Sequence, residues 1–213
     1  HFPLSEVRGG FLAYEAWQNE LITHDEIVRN CFVESPFAHP SVMFRRTEVL
    51  KIGRYREMGW AEDYDLWLRL LHRGARFAKL PETLLFWRDR PKRLSRTGDD
   101  YTLGAFRRCK LHFLLDCYLK GVKSVTLWGA GQEGKLWRRL LVDQGIKVER
   151  WIEVDRRKIG QTIHQAPVVG IDQLAPGQGK MLITIGARGA RSEVRKYAAS
   201  QQLAEGVDFV CVT

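Results

Sequence analysis

The sequence predicts an α/β protein built in two parts, and three observations carry that prediction. Residues 122–213 alternate apolar strand-like runs with helical ones, the pattern of a mostly parallel sheet with helices on its faces. Gly129, Gly131 and Gly134 stand as G-x-G-x-x-G directly between a strand pattern and a helix pattern. Residues 1–97 have a different texture, centred on one strongly amphipathic helix that begins at Glu62 with three carboxylates, Glu62, Asp63 and Asp65.

Taken in order, residues 12–30 read as helical with modest periodicity, through Leu12, Ala16, Asn19/Glu20 and Thr23. Ser35 to Pro40 is a loop set by two prolines. Ser41 to Phe44 is a short apolar run expected to be a strand, and Thr47 to Ile52 a short helix stopped by Gly53. From Glu62, Leu66, Leu70 and Leu71 recur at helical spacing beside Trp67; Arg69, His72 and Arg73 fill the last turn, and Gly74 supplies the stop. Arg76 to Leu80 and Leu84 to Trp87 are expected strands, split at Pro81. The polar run Thr97-Gly98-Asp99-Asp100 marks a break, and Leu103 to Lys120 is a helix ended by Gly121. The later strands are expected at residues 122–128, 146–154, 181–185 and 207–212, with helices at 133–144 and 191–203.

With 213 residues, 45% of them hydrophobic, and seven Trp, the chain can bury real cores, which excludes disorder. No apolar run is long enough to span a bilayer, and the first residues lack a signal-peptide pattern. Cys31, Cys109, Cys117 and Cys211 are scattered without C-x-x-C, as expected of reduced thiols in a cytoplasmic protein. The net charge of +9 points to an acidic partner: a nucleotide diphosphate, an anionic membrane surface or nucleic acid. No recognised motif supports nucleic acid. The densest basic cluster is Arg88, Arg90, Lys92, Arg93 and Arg96, opposed only by Asp89.

A helix start carries partial positive charge and free N–H groups, so carboxylates there tend to stay ionised, as a general base must. Asp63-Tyr64-Asp65 is literally D-x-D, a metal-binding triplet in many sugar transferases. On a helix, residues two apart point about 200° away from each other, so these two cannot jointly grip one ion. The ordered series Pro36-Phe37-Ala38-His39-Pro40-Ser41, Ile52-Gly53-Arg54-Tyr55-Arg56, Gly59-Trp60-Ala61-Glu62-Asp63, Gly74-Ala75-Arg76-Phe77 and Trp87-Arg88 resembles the acceptor-side half of a family 2 glycosyltransferase of the GT-A type. That resemblance implies that Asp63 is the catalytic base of an inverting transfer and that Glu62 orients or tunes it. Asp65 is expected either to pair with a nearby Arg or to face solvent. Taken alone, the three carboxylates do no more than satisfy a helix start.

The same resemblance places residues 88–96 where the family's C-terminal loop folds over a bound diphosphate. Arg90 stands where a His is often found; it cannot ligate a metal, but its guanidinium suits phosphate. Arg88, Arg93 and Ser95 are the further candidates in this loop, against the plain alternative of a solvated turn. His39 falls where family members shape the acceptor pocket, or is simply structural. Trp60 and Tyr64 either stack on a sugar ring or pack in the core.

No nucleotide-binding βαβ unit or strand-ending D-x-D stands ahead of the series. The chain opens on His1-Phe2-Pro3, without Met, and is expected to be the later portion of a longer enzyme and inactive as it stands. The divalent metal of the intact enzyme, Mg or Mn, would have its ligands mostly outside this chain, and none is assigned within it.

Residues 122–213 resemble a Rossmann domain. The glycines allow a tight turn, close approach of backbone to a pyrophosphate, and close helix–strand packing. Asp155 is the candidate ribose-binding acid, with Glu153 as its neighbour; a nucleotide, a sugar nucleotide or NAD is the candidate ligand, and a purely structural module is the alternative. Nothing downstream supplies a catalytic Tyr-Lys or His-Asp arrangement, so a dehydrogenase is not expected.

Residues 1–97 are thus expected to be an acceptor-side GT-A half, 98–121 a linking helix, and 122–213 a Rossmann-like domain. The expected function is transfer of a sugar from a nucleotide sugar to a polysaccharide or lipid-linked acceptor, in the cytoplasm and in possible contact with the inner membrane face. The rival is a nucleotide- or NAD-binding regulatory or oxidoreductase module centred on residues 122–213.

Overall fold

A computed structural model describes residues 9–87, 94–187 and 189–213. The chain divides into two compact units, His1–Cys109 and Lys110–Thr213. The boundary falls within the helix Leu103–Asp116, so the segment read as a linker contributes its first half to one unit and its second half to the other.

The described part of the first unit is helical. Helices α1 (Gly9–Glu20), α2 (His24–Asn30), α3 (Arg46–Lys51) and α4 (Glu62–His72) are followed by a single turn, α5 (Leu94–Thr97), and by α6 (Leu103–Asp116). The helix expected over residues 12–30 is two helices. The first ends at Glu20, and Thr23 caps the second: its hydroxyl accepts from Glu26 N at 3.3 Å, and the Glu26 carboxylate accepts from Thr23 N at 2.8 Å. Two donors that a continuous helix would have paired internally are satisfied by side chains instead, so the break is stable. A 3-10 turn, His39–Ser41, stands where a strand was expected to begin, and neither 76–80 nor 84–87 joins a sheet ladder. A strand pattern needs a neighbouring strand to become a strand, and among the described residues this unit supplies none.

The core of this unit gathers Leu21, Ile27, Phe37, Val49, Leu66, Trp67 and Leu70. The inward face of α4 provides three of these, and Phe37 meets Trp67 edge-on with ring centres 5.6 Å apart. Packing of α4 on this cluster fixes which of its first-turn carboxylates face inward.

The second unit holds a six-stranded sheet in the order β3-β4-β2-β1-β5-β6. Its strands are β1 (Ser124–Trp128), β2 (Lys147–Glu153), β3 (Thr162–Ile163), β4 (Ala166–Gly170), β5 (Lys180–Ile183) and β6 (Phe209–Cys211). All pairings are parallel except the short β3–β4 edge pair. The fold class is α/β, as the alternation of elements predicts. Helices α7 (Gln132–Asp143) and α8 (Ala190–Ser200) lie between strands in the chain, which lets successive strands run parallel. Trp137 on α7 and Trp151 on β2 are fully buried, beside Leu127, Leu141 and Leu182. β3 and β4 were missed because they are short and Pro167 interrupts the pattern. Helix α6 ends at Asp116, earlier than the apolar pattern suggested, and turns fill 117–121. Among the described residues no helix is long and apolar enough to cross a membrane. All four cysteines are free thiols; Cys117 alone is exposed.

Candidate active site and glycine loop

The α4 start is built from Ala61, Glu62 and Asp63. No side chain of the N-cap residue Ala61 closes the helix; instead Asp63 Oδ1 accepts from Tyr64 N at 2.7 Å. That bond turns the second oxygen, Oδ2, toward His39, whose Nδ1 lies 3.9 Å away. The same Nδ1 lies 3.9 Å from Glu62 Oε1. The other imidazole nitrogen, Nε2, is 2.8 Å from the Tyr55 hydroxyl, and Tyr101 donates its phenol proton to Glu62 Oε2 at 2.6 Å. Three side chains, those of Tyr55, Glu62 and Asp63, therefore meet around one imidazole, and Tyr101 joins them through Glu62.

The electrostatics differ within the pair. The Asp63 side chain is 15% exposed and that of Glu62 39%. Burial raises the Asp63 pKa above the ordinary carboxylate value and the Glu62 charge adds to this, while the Tyr64 amide and His39 act in the opposite direction. The net shift is upward, which makes Asp63 a stronger base than a free aspartate.

Asp65 plays a different part. Its Oδ2 accepts from Arg69 Nε at 2.6 Å, one helical turn on, in a pair whose side chains are 3% and 10% exposed. The remaining guanidinium nitrogens donate to Ile52 O at 2.9 Å and Arg54 O at 2.7 Å. Those carbonyls flank a turn in which Gly53 and Arg54 both have positive φ, of 86° and 60°. The buried pair therefore holds the turn that presents Tyr55 to His39. It also separates Asp65 from Asp63, as the helix geometry requires. Among the described residues no group of three or more His, Cys, Asp or Glu could hold a metal ion.

The other sequence candidates are placed as follows. The Trp60 indole N–H donates to Asp65 Oδ1 at 3.2 Å, so this ring braces the ion pair. Tyr64 is buried, stacks on Phe106 with ring centres 5.3 Å apart, and donates to Cys31 O at 2.5 Å; it is a core residue. Ser95 is exposed in α5. Arg88, Arg90 and Arg93 lie outside the described residues. Tyr55 and Tyr101 were missed as site residues. No local spacing announces a phenol that acts on a carboxylate from elsewhere in the chain.

In the second unit, the loop Gly129–Gly131 joins β1 to α7 where the strand order reverses between β1 and β5, the place at which open parallel sheets take ligands. Gly129 has φ +116°, and a Cβ there would come within 2.8 Å of Ile185. A Cβ on Gly134 would run into Gly129 O and come within 3.0 Å of Trp151. Gly131, at the α7 N-cap, has open space beside it. Gly129 and Gly134 thus stand where a side chain would clash, and Gly131 does not. Of the two candidate acids, Asp155 is engaged by Arg157 through its backbone and guanidinium N–H groups at 2.9–3.0 Å, which holds its carboxyl down at about 2. Glu153, the last residue of β2, is the acid that reaches the loop. Its Oε2 accepts from Ala130 N at 3.2 Å and from Lys158 Nζ at 3.1 Å.

No family model matches the chain. The chain is 34% identical over 64 residues to the amylovoran biosynthesis glycosyltransferase AmsE of Erwinia amylovora, covering 30% of this chain and 24% of that protein. It is 32% identical over 88 residues to the Escherichia coli UDP-Gal:alpha-D-GlcNAc-diphosphoundecaprenol beta-1,3-galactosyltransferase, covering 40% and 31%. It is 39% identical over 67 residues to the O-antigen biosynthesis glycosyltransferase WbnJ of Escherichia coli, covering 30% and 26%. The chain carries a glycosyltransferase-like region. The matches span about a quarter to a third of the length of these curated relatives. Among solved structures, a Rex-family repressor overlays 81% of this chain and 89% of its own, at 11% identity and a TM-score of 0.37, too low to bear on fold or function.

Proposed function

We propose that the glycosyltransferase-like region is the acceptor-side part of an inverting sugar transferase of the GT-A, family 2 type, with Asp63 as its general base. The observation that carries this reading is the Asp63 carboxylate itself, sheltered at the mouth of α4 with one oxygen held by the Tyr64 amide and the other facing His39. Oδ2 takes the proton of an acceptor hydroxyl as that oxygen attacks the anomeric carbon from the face opposite the leaving group. The nucleoside diphosphate departs with the bonding electrons, and configuration inverts. A base shifted upward by burial matches this task, because it holds a proton better than a free carboxylate.

The donor would be a nucleotide sugar and the acceptor a polysaccharide or lipid-linked glycan. The names of the relatives support these classes, through amylovoran, O-antigen and a diphosphoundecaprenol acceptor. The donor pocket, with any divalent metal, is assigned to parts of a full-length transferase that have no counterpart in these residues, and the chain alone is inactive on this reading. In the transferase carrying both parts, Asp63→Asn is expected to cut turnover by about 10²–10⁴-fold, the usual contribution of a general base. Nucleotide-sugar affinity, measured by calorimetry, is expected to stay unchanged. Normal turnover by that variant would remove the assignment.

A second reading concerns residues 122–213. The close approach of Gly134 to Gly129 and the reach of Glu153 to Ala130 fit a nucleotide held on the loop. Gly129, Gly131 and Gly134 would admit the phosphates, and Glu153 would brace the loop through Ala130 N. Calorimetric titration with NAD, sugar nucleotides and coenzyme A decides it; no heat from any of them makes the module structural.

A further inference from the structure

The acid pair at the start of α4 is flanked on both sides by phenols. Tyr101 ends the 3-10 turn Asp99–Tyr101 and donates to Glu62 Oε2 at 2.6 Å. Tyr55 meets His39 Nε2 at 2.8 Å, while His39 Nδ1 stands 3.9 Å from one oxygen of each carboxylate. Two neighbouring carboxylates thus share one imidazole, and among the described residues only Glu62 is bound by a phenol. Burial, and then the bond to Glu62, push the Tyr101 hydroxyl well above its ordinary range. Burial, followed by the Asp63 and Glu62 charges, raises Tyr55. Both phenols therefore remain protonated and able to donate at neutral pH. The ionisable groups around Glu62 are Asp63 on its own helix, His39 and, through it, Tyr55 on one side, and Tyr101 with Asp100 on the other.

A hydrogen bond to a carboxylate favours its charged form and fixes its direction. We propose that Tyr101 is a positioning residue for this pair: by holding Glu62 through one oxygen as a hydrogen-bond acceptor, it reserves Asp63 as the carboxylate that takes up a proton. The role rests on the reading of Asp63 as base. Without the phenol, Glu62 is free to turn toward His39 and compete with Asp63 for the one imidazole.

The test is a carboxyl-carbon NMR titration of this chain, wild type against Tyr101→Phe, with folding checked by circular dichroism. In Tyr101→Phe the Asp63 step is expected to move to higher pH, because a freed Glu62 can bring its charge nearer and take up the imidazole that lowers Asp63. An Asp63 step that stays in place in the folded variant overturns the proposal. Should Tyr101→Phe fail to fold, the bond is read from its other end: Glu62→Gln is expected to lower the pH at which Tyr101 ionises, and an unchanged Tyr101 titration overturns the proposal equally. The two readings fail separately. A null titration removes the role of Tyr101 and leaves the base assignment standing, whereas full turnover by Asp63→Asn removes the base and leaves the titration coupling intact.

Discussion

His39 Nδ1 lies 3.9 Å from Asp63 Oδ2, although the two residues sit on separate elements, a 3-10 turn and the first turn of α4. The imidazole opposes the upward pull of burial on Asp63. It is held from behind by Tyr55 and edge-on to the Trp67 ring at 5.9 Å, so its approach is fixed by packing as well as by charge.

Replacing His39 tests that relationship. His39 lowers the Asp63 pKa, so His39→Gln is expected to raise it further above the ordinary value. The base must be ionised to act, so the acidic limb of the pH–rate profile of the full transferase should move to higher pH. Activity on the alkaline plateau should change little. An unmoved limb would show that the imidazole does not act on Asp63.

The Asp65–Arg69 pair is expected to carry stability. Arg69→Met leaves the Asp65 carboxylate buried without its cation, a change that costs about 3–5 kcal/mol where pairs of this kind have been broken. It also frees the Ile52 and Arg54 carbonyls and with them the turn before Tyr55. Urea unfolding followed by Trp fluorescence reads the loss. Replacing both partners by apolar residues should cost less than Arg69→Met, because no charge is then stranded.

The glycine loop gives a paired prediction. Gly134→Ala places a methyl against Gly129 O and Trp151, and overpacking of this kind costs about 1–3 kcal/mol. Gly131→Ser meets open space and supplies a favoured helix cap, so its effect should stay within about 0.5 kcal/mol. Thermal unfolding of the two variants side by side measures the contrast; equal losses would contradict the packing described for α7 on the sheet.

Glu153 links stability to pH. Burial alone would raise its pKa, but bonds from Val154 N, Lys158 and Ala130 N outweigh it, and the carboxyl ends below its ordinary value of 4.5. A carboxylate lowered on folding stabilises the fold fully above the unfolded value, and that contribution is lost as pH falls through the folded value. The denaturation midpoint of the second unit should therefore drop on acidification below about pH 4.5. Glu153→Gln should lower the midpoint at pH 7 and flatten this dependence.

Much of the second unit was legible because its signals are local. A strand, a glycine turn and an amphipathic helix follow one another within residues 124–143, and each is specified by its own spacing. The position of Asp63 at a helix start was legible for the same reason. The break between α1 and α2 was also written locally, in Thr23-x-x-Glu26, and was overlooked in favour of a weak periodicity. The strand patterns at 76–80 and 84–87 show the opposite limit: they record an apolar tendency, while a ladder depends on a partner elsewhere.

The amino-acid order thus determined by itself the α/β alternation, the glycine turn and the cluster of acids at the mouth of α4, since helix periodicity, turn chemistry and capping act over a few residues. Only the tertiary structure decided which acid faces His39, which is buried against Arg69, and that Glu153 rather than Asp155 reaches the loop. It also brought Tyr55 and Tyr101 to the carboxylates. Those outcomes depend on burial and on hydrogen bonds between distant residues, and neither has a spacing that sequence can display.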